Sequence, residues 1–312
     1  MAGEPNVQVD APGARGLYDY VTEAALWMPC ANPALGLPPV PEAAARCRSL
    51  AAAGWIGAGR GDAALPAGAH EALAYLRAAG WSEEALRSGQ TSIGFDLWRS
   101  IAVTYASAYG RYGADEHPCG YRFAALAADG RPRPATAAER AGWASEGSGI
   151  PPGAGVGLVD ANRGGDDAAW AGLHCLRGLW TGDGEAARRV RAGIAEVRAG
   201  LPRAGLPVVV VHGLGDGLIP PAFSSAPYVS MARSAGREVR YWQVRNAQHF
   251  DAFLALPAFG AMHVPLLPYM YAALDRVDAA LDGQGALPAD ALIEARPRGA
   301  GAVDAGQLAL PR

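Results

Sequence analysis

Leu206-Pro-Val-Val-Val-Val-His-Gly-Leu-Gly-Asp-Gly-Leu-Ile-Pro220 is the stretch that decides the fold class. Its first six residues form a short continuous apolar run rich in β-branched valine, the pattern of a strand buried on both faces of a parallel sheet. The run ends at His212, and glycines at 213, 215 and 217 then tighten a loop around Asp216. In an open α/β sheet, ligands and catalytic groups collect at the carboxyl ends of strands, so chemistry is expected on this loop.

Downstream, the pattern predicts a helix over Ser225 to Ser234, a second strand over Glu238 to Val244, and a final helix from about Pro268 to Leu281. Strand, helix, strand, helix is α/β grammar. Just past the second strand stands Asn246-Ala-Gln-His249-Phe-Asp251, which puts an imidazole 33 residues after Asp216. This order of strand, acid, helix, strand and histidine is that of the last two strands of an α/β-hydrolase sheet. In such a sheet His249 takes the proton of a nucleophile, while Asp216 holds the imidazole's tautomer and stabilises the imidazolium. His249 alone reads as a satisfied loop or core histidine; its pairing with Asp216 in this topology makes it the candidate base. Gly213 and Gly215 could also open a dinucleotide-binding loop. However, the third glycine of that fingerprint would fall at Leu218, and Pro220-Pro221 interrupts the helix start.

Upstream lies a region that reads as helices separated by Gly/Pro turns, and it holds seven of the eight tryptophans. Its clearest helix runs from about Phe95 to Tyr109, with Phe95, Trp98, Ile101, Ala102, Tyr105 and Tyr109 at three- and four-residue steps, the spacing of a core stripe. Gly147 to Gly165 reads as a surface loop. After it, Asp166 or Asp167 can cap a helix through Leu176, and a further helix from Glu185 to about Ala199 carries Val190, Ile194 and Val197 on one face. No internal repeat is found.

Composition narrows the chemistry. The 312 residues are 50% hydrophobic and 18% charged, and 41 glycines and 24 prolines imply a folded but loop-rich chain. All 27 basic residues are arginine. With no lysine, Schiff-base chemistry, a lysine-ended phosphate loop and a Ser-x-x-Lys acyl enzyme are excluded. A net charge of -3, with no arginine run longer than two, provides no basic stripe for nucleic acid.

Cys30, Cys47, Cys119 and Cys175 are too few and too scattered for a disulfide scaffold, and leave the redox compartment open. His117-Pro-Cys119 and His174-Cys175 lack metal-site spacing and read as structural, so no metal or cofactor is expected. The first sixteen residues lack the basic and apolar regions of a signal peptide, which implies an intracellular protein or a true start that lies elsewhere. Ala252 to Leu274 is uncharged and long enough to span a bilayer, but Pro257, Pro265, Pro268 and His263 make it a buried loop and helix.

A nucleophile is not evident. No G-x-S-x-G elbow occurs, and the nearest imitation is Ser92 in Gly89-Gln-Thr-Ser-Ile-Gly94, which follows a polar helical segment and reads as a turn or cap serine.

Gly3-Glu-Pro-Asn-Val7, Leu17-Tyr-Asp-Tyr20, His117-Pro-Cys-Gly-Tyr-Arg-Phe123, Pro207 to Gly213 and Asn246-Ala-Gln-His-Phe-Asp-Ala-Phe253 together resemble the C-terminal part of the D-(-)-3-hydroxybutyrate oligomer hydrolases. The resemblance implies an exported serine esterase, secreted or periplasmic, that cleaves soluble 3-hydroxybutyrate oligomers downstream of a polyhydroxybutyrate depolymerase. It also implies that the serine and the first strands lie in an N-terminal half absent from this sequence, whether on the same or a separate chain. Ala2 to Asn6 would be the exit of the strand that follows the nucleophile elbow.

The expected organisation is then 1–16 as strand exit and linker, 17–200 as a helical lid, 201–285 as the core segment with acid and base, and 286–312 as a loop-rich tail. Only Asp216 and His249 carry over as triad members. Two other functions stay open: a non-catalytic binding or scaffold module, and a self-sufficient esterase using an atypical serine such as Ser92. Strands without their neighbours would expose a sheet edge, so poor solubility or obligate association is expected of the chain alone.

Overall fold

The computed structural model describes residues 11–57, 64–94, 96–113, 115–129, 131–143 and 156–311. In chain order the elements are α1 (Leu17–Ala31), α2 (Ala43–Ala52), α3 (Ala64–Ala78), α4 (Glu83–Gly94), α5 (Leu97–Gly110), β1 (Tyr121–Leu126), β2 (Pro132–Arg133), α6 (Ala137–Trp143) and β3 (Val156–Asp160). They continue with α7 (Trp170–Thr181), α8 (Glu185–Glu196), β4 (Val208–Gly213), α9 (Ser225–Ser234), β5 (Val239–Val244), α10 (Pro257–Met262), α11 (Leu267–Leu281), β6 (Ala291–Ile293) and α12 (Ala305–Leu308). The chain divides into two compact units. One takes residues 17–75 and 92–197, and the other residues 1–16, 76–91 and 198–312. Residues 76–91, inside the stretch expected to be lid, thus group with the C-terminal residues.

In the helical unit α1 is apolar nearly all round, as a central helix must be, and Tyr18, Val21, Ala24 and Leu26 are sealed from solvent. Helices α2, α5 and α7 pack on it, and α8 packs on α5 and α7. The stripe of α5 lies inward as expected, with Trp98, Ile101 and Ala102 buried; Phe95 lies outside the described residues. Val190 and Ile194 of α8 are buried, while Val197, past its last turn, is exposed.

Four expectations are corrected here. Asp167 caps no helix: α7 starts at Trp170 without a side-chain cap. Instead Asp167 takes Arg46 of α2 in a two-pronged ion pair (2.6 and 3.1 Å) with both side chains only 3% exposed. The guanidinium also donates to the Ala25 carbonyl at 2.6 Å, so every element of the pair is held. The region is not purely helical, since β1 pairs antiparallel with both β2 and β3. Val156 to Asp160, taken as loop, form β3; the loop's residues 147–155 lie outside the described residues. Finally, the cysteines pair completely: Cys30 with Cys47 (Cα–Cα 4.9 Å) and Cys119 with Cys175 (5.6 Å). Sequence spacing did not reveal these pairs because α1 packs on α2 and the β1 approach meets α7, contacts made only by the tertiary fold.

The other unit is built on a parallel sheet of order β4-β5-β6, with Val208 opposite Val239, Gly213 opposite Val244 and Trp242 opposite Ala291. Strand alternation sends Val209, Val211, Trp242 and Val244 into a core with Tyr269 and Ala273 of α11. Val208, Val210, Val239 and Tyr241 meet Val229 and Ala232 of α9. Each face therefore has its helix, and among the described residues β4 pairs with β5 alone. Among the described residues Val208 to Val211 are half-buried rather than buried on both faces, which corrects the reading of the valine run.

Two further corrections concern the C-terminal segments. Ala291 to Ile293, assigned to a loop-rich tail, add the third strand; three residues are too few to show alternation. Residues 252–274 form short helices and the start of α11 as expected, yet Leu256, Met262, Leu267, Met270, Tyr271 and Leu274 are exposed rather than buried. Among the described residues no helix is long and apolar enough to cross a membrane.

Candidate active site

The loop after β4 turns back tightly because its glycines meet backbone, not ligand. A Cβ at Gly213 would stand 2.4 Å from the Ala247 carbonyl oxygen, and one at Gly217 would stand 2.6 Å from the Ala85 carbonyl oxygen and 2.7 Å from the Gly89 nitrogen, both on α4. The Gly215 amide donates to the Ala247 carbonyl at 2.9 Å, which ties the loop after β4 to the loop after β5. The second loop is shaped by Asn246 at φ +55°, a left-handed conformation that asparagine tolerates better than most residues. Its side-chain amide donates to the Ala295 carbonyl (2.8 Å), and its backbone amide donates to Glu84 of α4 (3.0 Å).

These turns bring Asp216 and His249 together, with His249 Nδ1 2.9 Å from Asp216 Oδ2. Asp216 Oδ1 accepts from the backbone amides of Leu218 (2.9 Å) and Ile219 (2.7 Å). Burial pushes the carboxyl pKa up, but the hydrogen bonds from His212 and His249 lead the opposing effects and it is held below the usual value. The group is an ionised, fully bonded carboxylate only 3% exposed. It can receive Nδ1–H only, so His249 carries its proton there and turns Nε2 outward as the acceptor. The His249 side chain is 29% exposed and sits against Phe250, ring centroids 4.5 Å apart. An imidazole so oriented can take a proton from a hydroxyl and give it to a leaving group.

Ser92 falls elsewhere. It is 7% exposed in α4 and belongs to the helical unit, where it lines a cavity of about 350 Å³ with Arg46, Arg99 and Trp98. Cys119 and Cys175 are bonded to each other and are not thiolates, while His117 accepts the Cys119 amide at 3.1 Å.

Three features went unassigned in the sequence. His212, quoted only as the start of the loop, places Nε2 3.2 Å from the same Asp216 oxygen. Its four-residue separation from Asp216 was the available signal, but that spacing implies contact only if the glycine loop folds back. Asp251 accepts the amides of Leu266 (2.8 Å) and Leu267 (2.9 Å) and so caps the start of α11. An apolar cavity of about 550 Å³, lined by Val209, Val211, His249, Met270, Leu274 and Val277 among others, opens beside the imidazole along β4.

Comparison with known proteins gives a family. The model of the family described as 3HB-oligomer hydrolase matches residues 3–311. A D-(-)-3-hydroxybutyrate oligomer hydrolase of Azoarcus sp. (strain BH72) is 39% identical over 93% of this chain and 45% of its own length. Proteins of the same name from Paracidovorax citrulli (39%, covering 91% and 44%) and Cupriavidus necator (34%, covering 93% and 44%) are similar. The chain therefore spans under half the length of these curated relatives. No solved structure matches it.

Proposed function

The chain belongs to the 3HB-oligomer hydrolase family, and we propose that it supplies the acid, Asp216, and the base, His249, of a serine esterase acting on 3-hydroxybutyrate oligomers. The observation that carries this is the 2.9 Å bond from His249 Nδ1 to a buried, ionised Asp216 whose other oxygen is held by two backbone amides. In the reaction His249 Nε2 accepts the proton of a serine hydroxyl as it attacks the ester carbonyl. It then gives that proton to the departing alkoxide oxygen, which leaves as the hydroxyl of the shortened oligomer, and a water repeats the cycle to release the acid. Asp216 stays ionised throughout and balances the imidazolium.

The serine and most of the oxyanion hole come from residues outside this sequence, corresponding to the part of the relatives that the chain does not match. Three observations support this. The sequence has no G-x-S-x-G elbow, β4 carries four half-buried valines and among the described residues pairs with β5 alone, and the 550 Å³ apolar cavity is lined by Val209 and Val211 of that strand together with His249. Strands of an α/β-hydrolase-like sheet, added in parallel to β4, would cover it and fill the cavity, with the nucleophile brought to His249. The two disulfides support an oxidising location, and hence export.

The test is hydrolysis of the 3-hydroxybutyrate dimer by the chain alone and together with the unmatched portion of the Azoarcus relative. Turnover is expected from the combination and not from the chain alone, and it should vanish with His249→Ala. Ester binding without turnover under both conditions would instead favour a binding module.

A further inference from the structure

Asp216 Oδ2 receives two imidazoles, and only one has a place in the chemistry above. The second belongs to His212, whose Nε2 lies 3.2 Å from Oδ2 and whose Nδ1 lies 2.6 Å from Ser225 Oγ at the start of α9. Ser225 Oγ in turn lies 2.6 Å from the hydroxyl of Tyr241 on β5. An ionised carboxylate can only accept, so His212 must carry a proton on Nε2. Burial pushes the Tyr241 phenol pKa up, so it keeps its proton and can donate to Ser225. With Tyr241 as that donor, Ser225 is left to donate to His212 Nδ1, and in this direction the run Tyr241, Ser225, His212, Asp216 has one proton per link and a neutral imidazole.

The opposite direction would make His212 a cation, setting two imidazoliums against one carboxylate whenever His249 is protonated. Of the other carboxylates near these loops, Glu84 is occupied by the Asn246 amide and by Arg245 at 3.6 Å, and Asp251 by the Leu266 and Leu267 amides.

We propose that His212 is a positioning residue: Ser225 and Tyr241 hold it neutral with its proton on Nε2, and it fixes Asp216 Oδ2 toward His249 while leaving the carboxylate's charge to His249 alone. Its catalytic consequence rests on the function proposed above, whereas the arrangement does not.

The test therefore reads protons without turnover, from ¹⁵N resonances of imidazole-labelled full chain at neutral pH, assigned by single His→Gln variants. His212 is expected as the Nε2–H form with a hydrogen-bonded Nδ1, and His249 as the Nδ1–H form. Ser225→Ala should move His212 Nδ1 downfield to the position of an unbonded nitrogen, Tyr241→Phe should move it less, and both should leave His249 as it was. His212→Ala should convert His249 from mainly Nδ1–H to a mixture with Nε2–H, and His212→Gln, which retains one N–H donor, should restore much of the Nδ1–H form.

A doubly protonated His212 in the native chain would overturn the proposal. So would an unmoved His212 Nδ1 in Ser225→Ala, or an unchanged His249 in a His212→Ala chain that keeps its melting temperature. A fluorophosphonate adduct on Ser225 would overturn it as well, since that hydroxyl would then be a nucleophile and not a relay. If the tautomers are as stated and no ester is hydrolysed, the positioning arrangement stands and the proposed function falls.

Discussion

At the scale of single residues the account rests on one carboxylate. Asp216 accepts four hydrogen bonds, two from backbone amides and two from imidazoles, and these outweigh the burial that would favour a protonated form. In the completed enzyme, Asp216→Asn should keep the shape but favour the wrong tautomer of His249, and kcat should fall by about four orders of magnitude, the scale of such a change in other triads. Steady-state kinetics on the dimer would check this; a loss confined to KM would contradict it.

A second titratable residue bears on stability. Burial holds His117 of the helical unit at about 4 against an ordinary 6.5. The unfolded chain therefore binds the extra proton first, and stability present above pH 6.5 is lost as pH falls toward 4, by up to about 3 kcal/mol. Melting curves of native chain and His117→Phe between pH 7 and 4 should diverge, with the native chain the steeper. Parallel curves would show that His117 is not held neutral.

At the scale of elements, what the sequence revealed depended on how locally each contact is made. The bounds of α9, the existence of β5, and the meeting of Asp216 with His249 were legible because a valine run, a helix and a second strand lie consecutively and fix which loops end side by side. β3 was missed because Gly157 interrupts the alternation and its partner β1 lies some thirty residues upstream. The disulfides and the Arg46–Asp167 pair, 121 residues apart, depend on helix packing that no local pattern encodes. His212 was in view but its role was not, because it required the glycine loop to return on itself.

That loop can be tested directly. Gly213→Ala would put a methyl 2.4 Å from the Ala247 carbonyl oxygen, where backbone and not a flexible side chain must move. A loss of about 1–3 kcal/mol in denaturant unfolding is expected, together with displacement of His249 from Asp216. A neutral effect would mean that the two loops are not locked together. In the helical unit, reduction of the disulfides opens sequence separations of 17 and 56 residues, and the chain-entropy estimate is about 3 and 4 kcal/mol of stability lost. Melting with and without reductant would show it.

At the scale of the whole molecule, the two units each have a core, but only one holds the candidate chemistry, and among the described residues its strand β4 pairs with β5 alone. The half-buried valines of β4 and the exposed Met270, Tyr271 and Leu274 on α11 leave apolar surface that excludes water poorly when alone. Size-exclusion chromatography with light scattering should find the isolated chain associated and the complemented one discrete, and a monodisperse monomer of the chain alone would contradict that. The central claim, that acid and base lie here and the nucleophile elsewhere, is tested most directly by fluorophosphonate labelling read by intact mass, since the probe marks only a serine activated by a working base. The predicted result is no adduct on this chain under any condition. The unmatched portion of the Azoarcus relative should carry one adduct when the two are combined, and none when His249 is replaced by alanine. An adduct on this chain alone would place the nucleophile within these 312 residues and contradict the account.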